Sequence, residues 1–402
     1  MGAAAPLKSL AAPVFIPASL VECADAALAR LERLGDGSVS LPTGAQLLSE
    51  RAVISGYFSQ GRVSPGGSCR LLEARDGLIA LNLARDEDWD LLPAWLEADV
   101  ARDWDAVSAA VSSLDARALV ERGREIGLAV ALDAPANRSV GGALAPTSVA
   151  IHRGQGRSHG TPIRVIDLSS LWAGPLCSHL LHRMGAEVIK VESLHRPDGA
   201  RRGPRAFFDL LNAGKASVAL DFSTAEGRAQ LRALIDSADI VIEASRPRAL
   251  RQLGIDAEHY AQHKVWLSLT AYGRTPATEN WIGYGDDVAV AAGLTHAVRQ
   301  ATGETQIVGD AIADPLTGIH AALAVWQARR PGLLDISLHA TLSHLLSGGQ
   351  SRTRKPLIPM AAQPLRTAQG QARELGADTI VQLREAARIN AGETATQAEG
   401  EH

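Results

Sequence analysis

The chain has 402 residues, 46% hydrophobic and 21% charged, with a formal net charge of −4. That length holds two or three domains of ordinary globular composition. The mildly acidic balance supplies no basic field for nucleic acid. Three widely spaced cysteines, Cys23, Cys69 and Cys177, make neither a disulfide framework nor a zinc ligand set, so a reducing, cytoplasmic setting is expected. The opening MGAAAPLKSLAAPVFIPASL is broken by prolines and is a poor signal peptide. No apolar run approaches the roughly 20 residues of a membrane span.

In chain order, residues 1–44 form an Ala- and Pro-rich N-terminal segment with one helical stretch, CADAALARLERLG. Residues 45–133 are mostly helical in pattern and are expected to form a small α+β domain. Within it RLLEARDGLIALNLAR reads as a strand or hairpin. DWDLLPAWLEADV and DARALVERGREIGLAVAL read as amphipathic helices. Residues 134–162 collect Pro, Gly and Ser without periodicity and mark a linker.

From 163 to 350 the rhythm becomes strand, helix, strand. IRVIDLSS, AEVIKVES, ASVALDF, DIVIEAS and KVWLSLTAYG are short apolar strands, and GPLCSHLLHRMG, TAEGRAQLRALIDSA and RALRQLG are the helices between them. GLLDISLHATLSHLL adds a further strand–helix unit. The alternation predicts an α/β fold, a Rossmann-like doubly wound parallel sheet covered on both faces, with the smaller domain N-terminal to it. Residues 351–402 are expected as a C-terminal helix and a tail that frays from about 386.

Ligands of a doubly wound sheet sit beyond the carboxyl ends of its strands. After the first strand, DLSSLWAGPLCSHLL opens a helix with Gly174 and Pro175, offering free N–H groups to an anion. The turn lacks the three glycines of a dinucleotide fingerprint, so a ribose role for Glu192 at the end of the second strand is disfavoured. After the second strand come Arg196, Arg201, Arg202 and Arg205, and after DIVIEAS come Arg246, Arg248 and Arg251. Arginine forks match phosphate oxygens, and two such clusters at strand ends point to a phosphate-bearing anion; the competing reading is solvated basic loops.

VGDAIADPLTGIHAALAVW places Asp310 and Asp314 ahead of an apolar helix. Asp314–Pro315 reads as a helix cap followed by a first-turn proline. The small apolar residues around Asp314 equally suit a nucleophilic carboxylate in a dry cleft, which would form a mixed anhydride with an acyl group. That is the chemistry of CoA exchange between acids.

VIDLSSLWAGPLCSHLLHRMGAEVIKVE, LNAGKASVALDFSTAEGR, ADIVIEASRPRALRQLG and GDAIADPLTGIHAAL together resemble the class III CoA-transferases, a superfamily that includes formyl-CoA transferase, carnitine CoA-transferases and α-methylacyl-CoA racemases. The resemblance covers about 163–346 and implies that Asp314 is the nucleophile. It implies CoA contacts at Ser170, Leu171, Trp172 and Ala173, at Leu220 to Ser223, at Ala244 to Arg251 with Ser245, Arg246 and Arg248 among them, and at Tyr284 to Asp287 through Gly285, Asp286 and Asp287. Trp172 is expected against the pantetheine arm or acyl group, Asp287 against CoA or the acceptor, and Asp310 in a structural role. In the small domain, Ser68, Arg70 and Trp89 are candidates to face the acceptor.

The chain departs from the family at three places. Asp286 stands where the racemase branch has histidine, which argues against exchange at the α-carbon. Ser193 stands where the family has an arginine, so Arg196 or Arg201 is expected to supply that phosphate contact. The small domain lies ahead of the large one, as if relocated. The resemblance implies an acyl-CoA and a small carboxylic acid as substrates, no resident cofactor or metal, no nucleic acid or membrane, and a homodimer. The alternatives are an acyl-CoA racemase, isomerase or dehydratase on the same scaffold, or a non-catalytic acyl-CoA-binding subunit.

Overall fold

The computed structural model describes residues 15–35, 39–136, 162–328, 330–347, 357–359 and 365–392. Most of the 134–162 linker, the SGGQSR turn at 347–352 apart from Ser347, and the end of the tail lie outside the described residues.

A short strand β1 (Phe15–Pro17) leads into α1 (Ala18–Arg33) and α2 (Gly44–Ser55). An antiparallel sheet follows: β2 (Cys69–Ala74), β3 (Gly77–Asn82) and β4 (Ala129–Leu132), with α3 (Leu92–Leu96), α4 (Trp104–Val111) and α5 (Ala116–Ile126) between the last two strands. The large sheet is built from β5 (Arg164–Asp167), α6 (Ala173–Arg183), β6 (Glu187–Ser193), α7 (Arg205–Asn212), β7 (Ala216–Leu220), α8 (Ala225–Asp236) and β8 (Ile240–Glu243). It continues through α9 (Pro247–Gln252), α10 (Ala257–Tyr260), β9 (Val265–Thr270), α11 (Gly285–Ala291), α12 (Leu294–Thr302), α13 (Ala313–Gln327), β10 (Gly332–Ser337) and α14 (Leu338–Ser347). Strand β11 (Leu357–Pro359) pairs antiparallel with β1, and α15 (Thr379–Asn390) closes the fold.

The six parallel strands lie in the order β10-β9-β8-β5-β6-β7. This is the doubly wound arrangement, and the winding reverses between β5 and β8. Successive side chains of a strand point to opposite faces. Val165, Ile240, Ile242, Val265 and Leu267 therefore join the core shared with α1, α6 and α13. Ile166, Val241 and Trp266 join the core under α8, which Ala386 and Leu383 of α15 complete.

The structure differs from two sequence expectations. Helix α2 packs in the large core through Leu47, Leu48 and Ala52, so the small α+β unit begins at β2 rather than at 45. Its helices cover one sheet face through Trp95, Val107 and Leu119. Its other face sets Cys69, Leu71, Ala80 and Ala131 against Val290 of α11 and Ile307. The chain also stays helical past 386, because Ala386 is fully buried against the sheet layer.

Capping explains how α2 is aimed. Thr43 Oγ1 accepts the Gln46 N–H while Gln46 Oε1 accepts the Thr43 N–H at 3.0 Å, a reciprocal cap. The helix then carries two charged residues, Glu50 and Arg51, toward the interior. Glu50 is buried and takes both arms of Arg366, at 2.6 and 2.8 Å. Arg366 also donates to the Leu210 carbonyl at 3.1 Å, which ties the C-terminal segment to α2 and α7.

Removing one partner of a buried pair strands the other charge. Arg366→Ala should lower stability by about 3 kcal/mol in chemical denaturation. The double variant Glu50→Gln/Arg366→Met should recover more than half of that loss. A single variant within experimental error of the parent would show that the pair holds nothing.

Candidate active site

The crevice at the winding reversal lies between the loops after β5 and β8. Residues 168–172 follow β5, and their shape is set from below. Lys190, buried in β6, donates to the Ser169 carbonyl at 2.9 Å and pairs with Asp198 at 2.9 Å. Asp198 Oδ1 in turn accepts the Leu171 N–H at 2.9 Å. Leu171 has φ +69°, a left-handed conformation that costs a branched residue about 1–3 kcal/mol. The Asp198 contact fixes it there. Asp167, under the same loop, is held by Ser178 and by Lys215 at 3.3 Å. The chain then turns into α6, whose first residue is Ala173.

Asp314 stands opposite. Helix α13 begins at Ala313, so Asp314 occupies its second position, and the cap residue, Ile312, offers no side-chain bond. The expectation of Asp314 as N-cap is therefore corrected: its carboxylate is released from capping its own helix. It lies instead against Gly285, and the backbone N–H groups of Gly285 and Ala173, the first residues of α11 and α6, draw its pKa down. Three helix N-termini converge on one carboxylate, each contributing partial positive charge.

Two glycines make the convergence possible. A Cβ on Gly318, one turn along α13, would lie 2.6 Å from the Ala173 carbonyl, so only glycine lets α13 close on α6 there. A Cβ on Gly285 would lie 2.2 Å from Asp314 Oδ2 and 2.3 Å from the Ala311 carbonyl. Asp314 as a residue keeps a partial opening to solvent. Its surroundings are dense enough that burial pushes its pKa up to about 6, with the Arg51 charge and the two N–H groups pulling down and Asp310 pushing up.

Arg51 reaches this site from α2. Its Nε donates to Asp310 Oδ2 at 2.8 Å and its Nη2 to Asp310 Oδ1, making a side-on fork. Its guanidinium stacks over the Trp172 ring, 4.6 Å from the centroid. Asp310 is fully buried under that fork. Asp286 is also buried, accepts the Ala311 N–H at 2.8 Å, and is pushed up to about 7, by burial first and by Asp310 next. Asp287 is pushed up to about 7 by burial, opposed by the Asn82 amide at 2.9 Å and the Tyr284 N–H at 3.0 Å.

These placements redraw the expected binding set. Trp172 is 1% exposed, roofed by Arg51 and flanked by Phe207 at 5.2 Å. Its ring props Arg51. Asp287 is enclosed and braces α11 against Asn82. Leu220 points into the core. The Arg201 fork is taken by Glu192, at 2.9 and 2.6 Å, and its face lies on Phe208, which also removes Glu192 from any ribose role. Arg205 pairs with Asp209 and Glu374, and Arg251 with Glu279 at 3.1 Å.

Arg196, Arg202, Arg246 and Arg248 are exposed and form no ion pair among the described residues. With the exposed Ser170 and Leu171, they are the part of the expected set left open to a ligand. The Ser223 hydroxyl is bound to Asp221 at 2.5 Å, and the Ser245 hydroxyl to Glu243 at 3.0 Å. Arg70 and Trp89 both pack on Trp104, at 4.7 and 5.2 Å. Sequence reasoning missed Arg51 entirely: it lies 259 positions from Asp310 in a segment with no motif.

Residues 161–331 match the model of CoA-transferase family III. Among curated proteins, the chain is 32% identical over 212 residues to an acyl-CoA transferase of Fusarium pseudograminearum, covering 46% of each. It is 33% identical over 182 residues to the succinate–glutarate CoA-transferase of Agrobacterium fabrum, covering 41% of this chain and 46% of that protein. It is 28% identical over 187 residues to a formyl-CoA:oxalate CoA-transferase of Escherichia coli, covering 44% of this chain and 43% of that one. The chain thus spans less than half the length of these relatives. Among the described residues no helix is long and apolar enough to cross a membrane, and no group of side chains is arranged to hold a metal.

An acid whose pKa is raised on folding stabilises the fold below its unfolded value, near 3.9, and that contribution disappears as the pH climbs through the folded one. For Asp314 the window runs from about pH 4 to pH 6. The stability gap between Asp314→Asn and the parent should therefore move in the variant's favour by about 1–2 kcal/mol between pH 4 and pH 8. Urea denaturation at both pH values measures the gap. One that does not move with pH would contradict the environment assigned to Asp314.

Proposed function

We propose that this chain, whose 161–331 segment belongs to CoA-transferase family III, moves CoA between an acyl-CoA and a carboxylic acid through covalent intermediates on Asp314. One observation carries the reading: a partly open carboxylate that is not the cap of its own helix and lies against the start of α11, with the N–H groups that open α11 and α6 drawing its pKa down.

The acyl-CoA enters with its phosphates over the open arginines, Arg196, Arg246 and Arg248, and its thioester toward Asp314. A carboxylate oxygen of Asp314 attacks the thioester carbon, and the C–S bond breaks to give an aspartyl acyl anhydride and CoA thiolate. The thiolate attacks the Asp314 carbonyl, releasing the donor acid and leaving aspartyl-CoA. An acceptor carboxylate reverses both steps. The Gly285 and Ala173 N–H groups, which draw the resting Asp314 pKa down, are the donors for the charge that builds on an Asp314 oxygen when CoA thiolate or the acceptor attacks the Asp314 carbonyl. Such donors are worth about 3–4 kcal/mol each.

Exchange of a proton at the α-carbon is less well supported. It needs a second acid–base group facing the substrate, and the carboxylate at that sequence position, Asp286, is buried and already bound to the Ala311 N–H. A homodimer and a cytoplasmic location accompany the transferase reading.

Incubating the protein with a panel of short acyl-CoAs and hydroxylamine should convert Asp314 to its hydroxamate, found by peptide mass spectrometry. Asp314→Ala should lose transfer by at least about a thousandfold. Deuterium uptake at the α-carbon without a modified Asp314 would replace transfer with racemisation. Acyl-CoA binding with neither result would leave a binding subunit. Gly285→Ala, which pushes a methyl into the Asp314 oxygen, should lower turnover by at least about a hundredfold; unchanged turnover would show that Gly285 does not position the nucleophile.

A further inference from the structure

Arg51 has more donors than the resting site uses. A guanidinium carries five N–H bonds. Nε and one hydrogen of Nη2 are spent on Asp310, side-on. Nη1 has no hydrogen-bond partner among the described residues, and the side chain is 28% exposed while its partner Asp310 is fully buried. The end-on edge, one N–H from Nη1 beside the second from Nη2, is a fork with the spacing of a carboxylate. Trp172 packs against one face of the guanidinium and Asp310 fixes its side edge, so this fork is held in one orientation. The two residues that Arg51 touches, Trp172 and Asp310, are the chain neighbours of Ala173 and Ala311; Ala311 and Asp314 both crowd Gly285, and the Arg51 charge lowers the Asp314 pKa against its burial.

We propose that Arg51 is the binding residue for the acceptor acid, taking its carboxylate end-on through Nη1 and Nη2 beside Asp314. The inference rests on the transferase reading and adds to it the recognition of the second substrate. Arg51 belongs to α2, outside the segment that matches the family, so the acceptor site is completed by the N-terminal part of this chain.

The charge balance of the site favours the timing. In the resting enzyme, Arg51 pairs with Asp310 and its charge acts on Asp314. When CoA is attached, Asp314 becomes a neutral thioester and Arg51 keeps one carboxylate. The site loses one negative charge at the step that calls for an anion. The acceptor, oriented on Arg51, attacks the Asp314 carbonyl carbon through one oxygen, and the C–S bond breaks with CoA leaving as thiolate. That thiolate attacks the acceptor's carbonyl carbon, and the bond to the Asp314 oxygen breaks. Asp314 returns as a carboxylate and the product acyl-CoA carries the acceptor.

The test uses competition on the full chain. A donor acyl-CoA that labels Asp314 is supplied with hydroxylamine, a neutral nucleophile that inactivates the enzyme. Short mono- and dicarboxylates are then titrated as protecting acceptors. In Arg51→Lys, which keeps a charge for Asp310 and loses the fork, the acceptor concentration giving half-protection should rise at least about tenfold relative to any change in hydroxylamine inactivation. Arg51→Gln is the second variant and should show a rise at least as large. If a folded variant is slowed equally toward both nucleophiles, or keeps its half-protection point, Arg51 is not the acceptor site and the transferase reading stands. If the unsubstituted protein is not labelled at Asp314 by any donor, the transferase reading fails and this inference with it.

Discussion

The site depends on how closely α13 approaches α6. Gly318 faces the Ala173 carbonyl at a distance that no Cβ tolerates, and Asp314 lies one helical turn before it. That contact brings the Asp314 carboxylate to the start of α6. Gly285 makes the matching concession at the start of α11. Without both, the carboxylate would project into the crevice unsupported, or cap its own helix. With both, its carboxylate lies within the influence of N–H groups that belong to other parts of the chain, the arrangement that the proposed anhydride route calls for.

The second organising feature is a shortage of positive charge. Asp286, Asp287, Asp310 and Asp314 meet in one region, and the nearest arginine is Arg51. It forks onto Asp310, which is fully buried, and its charge also opposes the burial of Asp286 and Asp314. Burial pushes the Asp286 and Asp287 pKa values up to about 7 and that of Asp314 to about 6. Arg51 is kept rigid by stacking on Trp172, itself packed edge-on to Phe207. The tryptophan thereby links the turn after β5 to the arginine that lowers the Asp314 pKa. Below that turn, the Lys190–Asp198 pair holds Leu171 in a conformation it would not choose. Strain and charge are both placed within one loop of Asp314.

Much of the architecture was legible in the sequence because its signals are local. Each apolar strand from IRVIDLSS to GLLDISL appears as a parallel strand, and the alternation of Val165 with Ile166 and Ile240 with Val241 assigns them to opposite cores. Asp314 was legible only as a choice between helix cap and nucleophile, and the fold removes the cap role by starting α13 one residue earlier. Long-range pairings were not legible. Arg201 in a Gly/Pro-broken loop looks available for phosphate until the fold shows Glu192 occupying it. Trp172 looks like a ligand contact until Arg51 covers it. The role of α2 was invisible, since its two inward charges, Glu50 and Arg51, acquire meaning only through Arg366 and Asp310, hundreds of positions away.

The central claim is that an oxygen of the acceptor acid passes into the protein at Asp314. A single turnover with an acceptor whose carboxylate carries oxygen-18, followed by mass analysis of the peptide containing Asp314, measures this directly. The anhydride route leaves one heavy oxygen on Asp314 each time CoA is passed to the acceptor. An unlabelled Asp314 after product acyl-CoA has formed would mean that the group is transferred without bonding to this side chain.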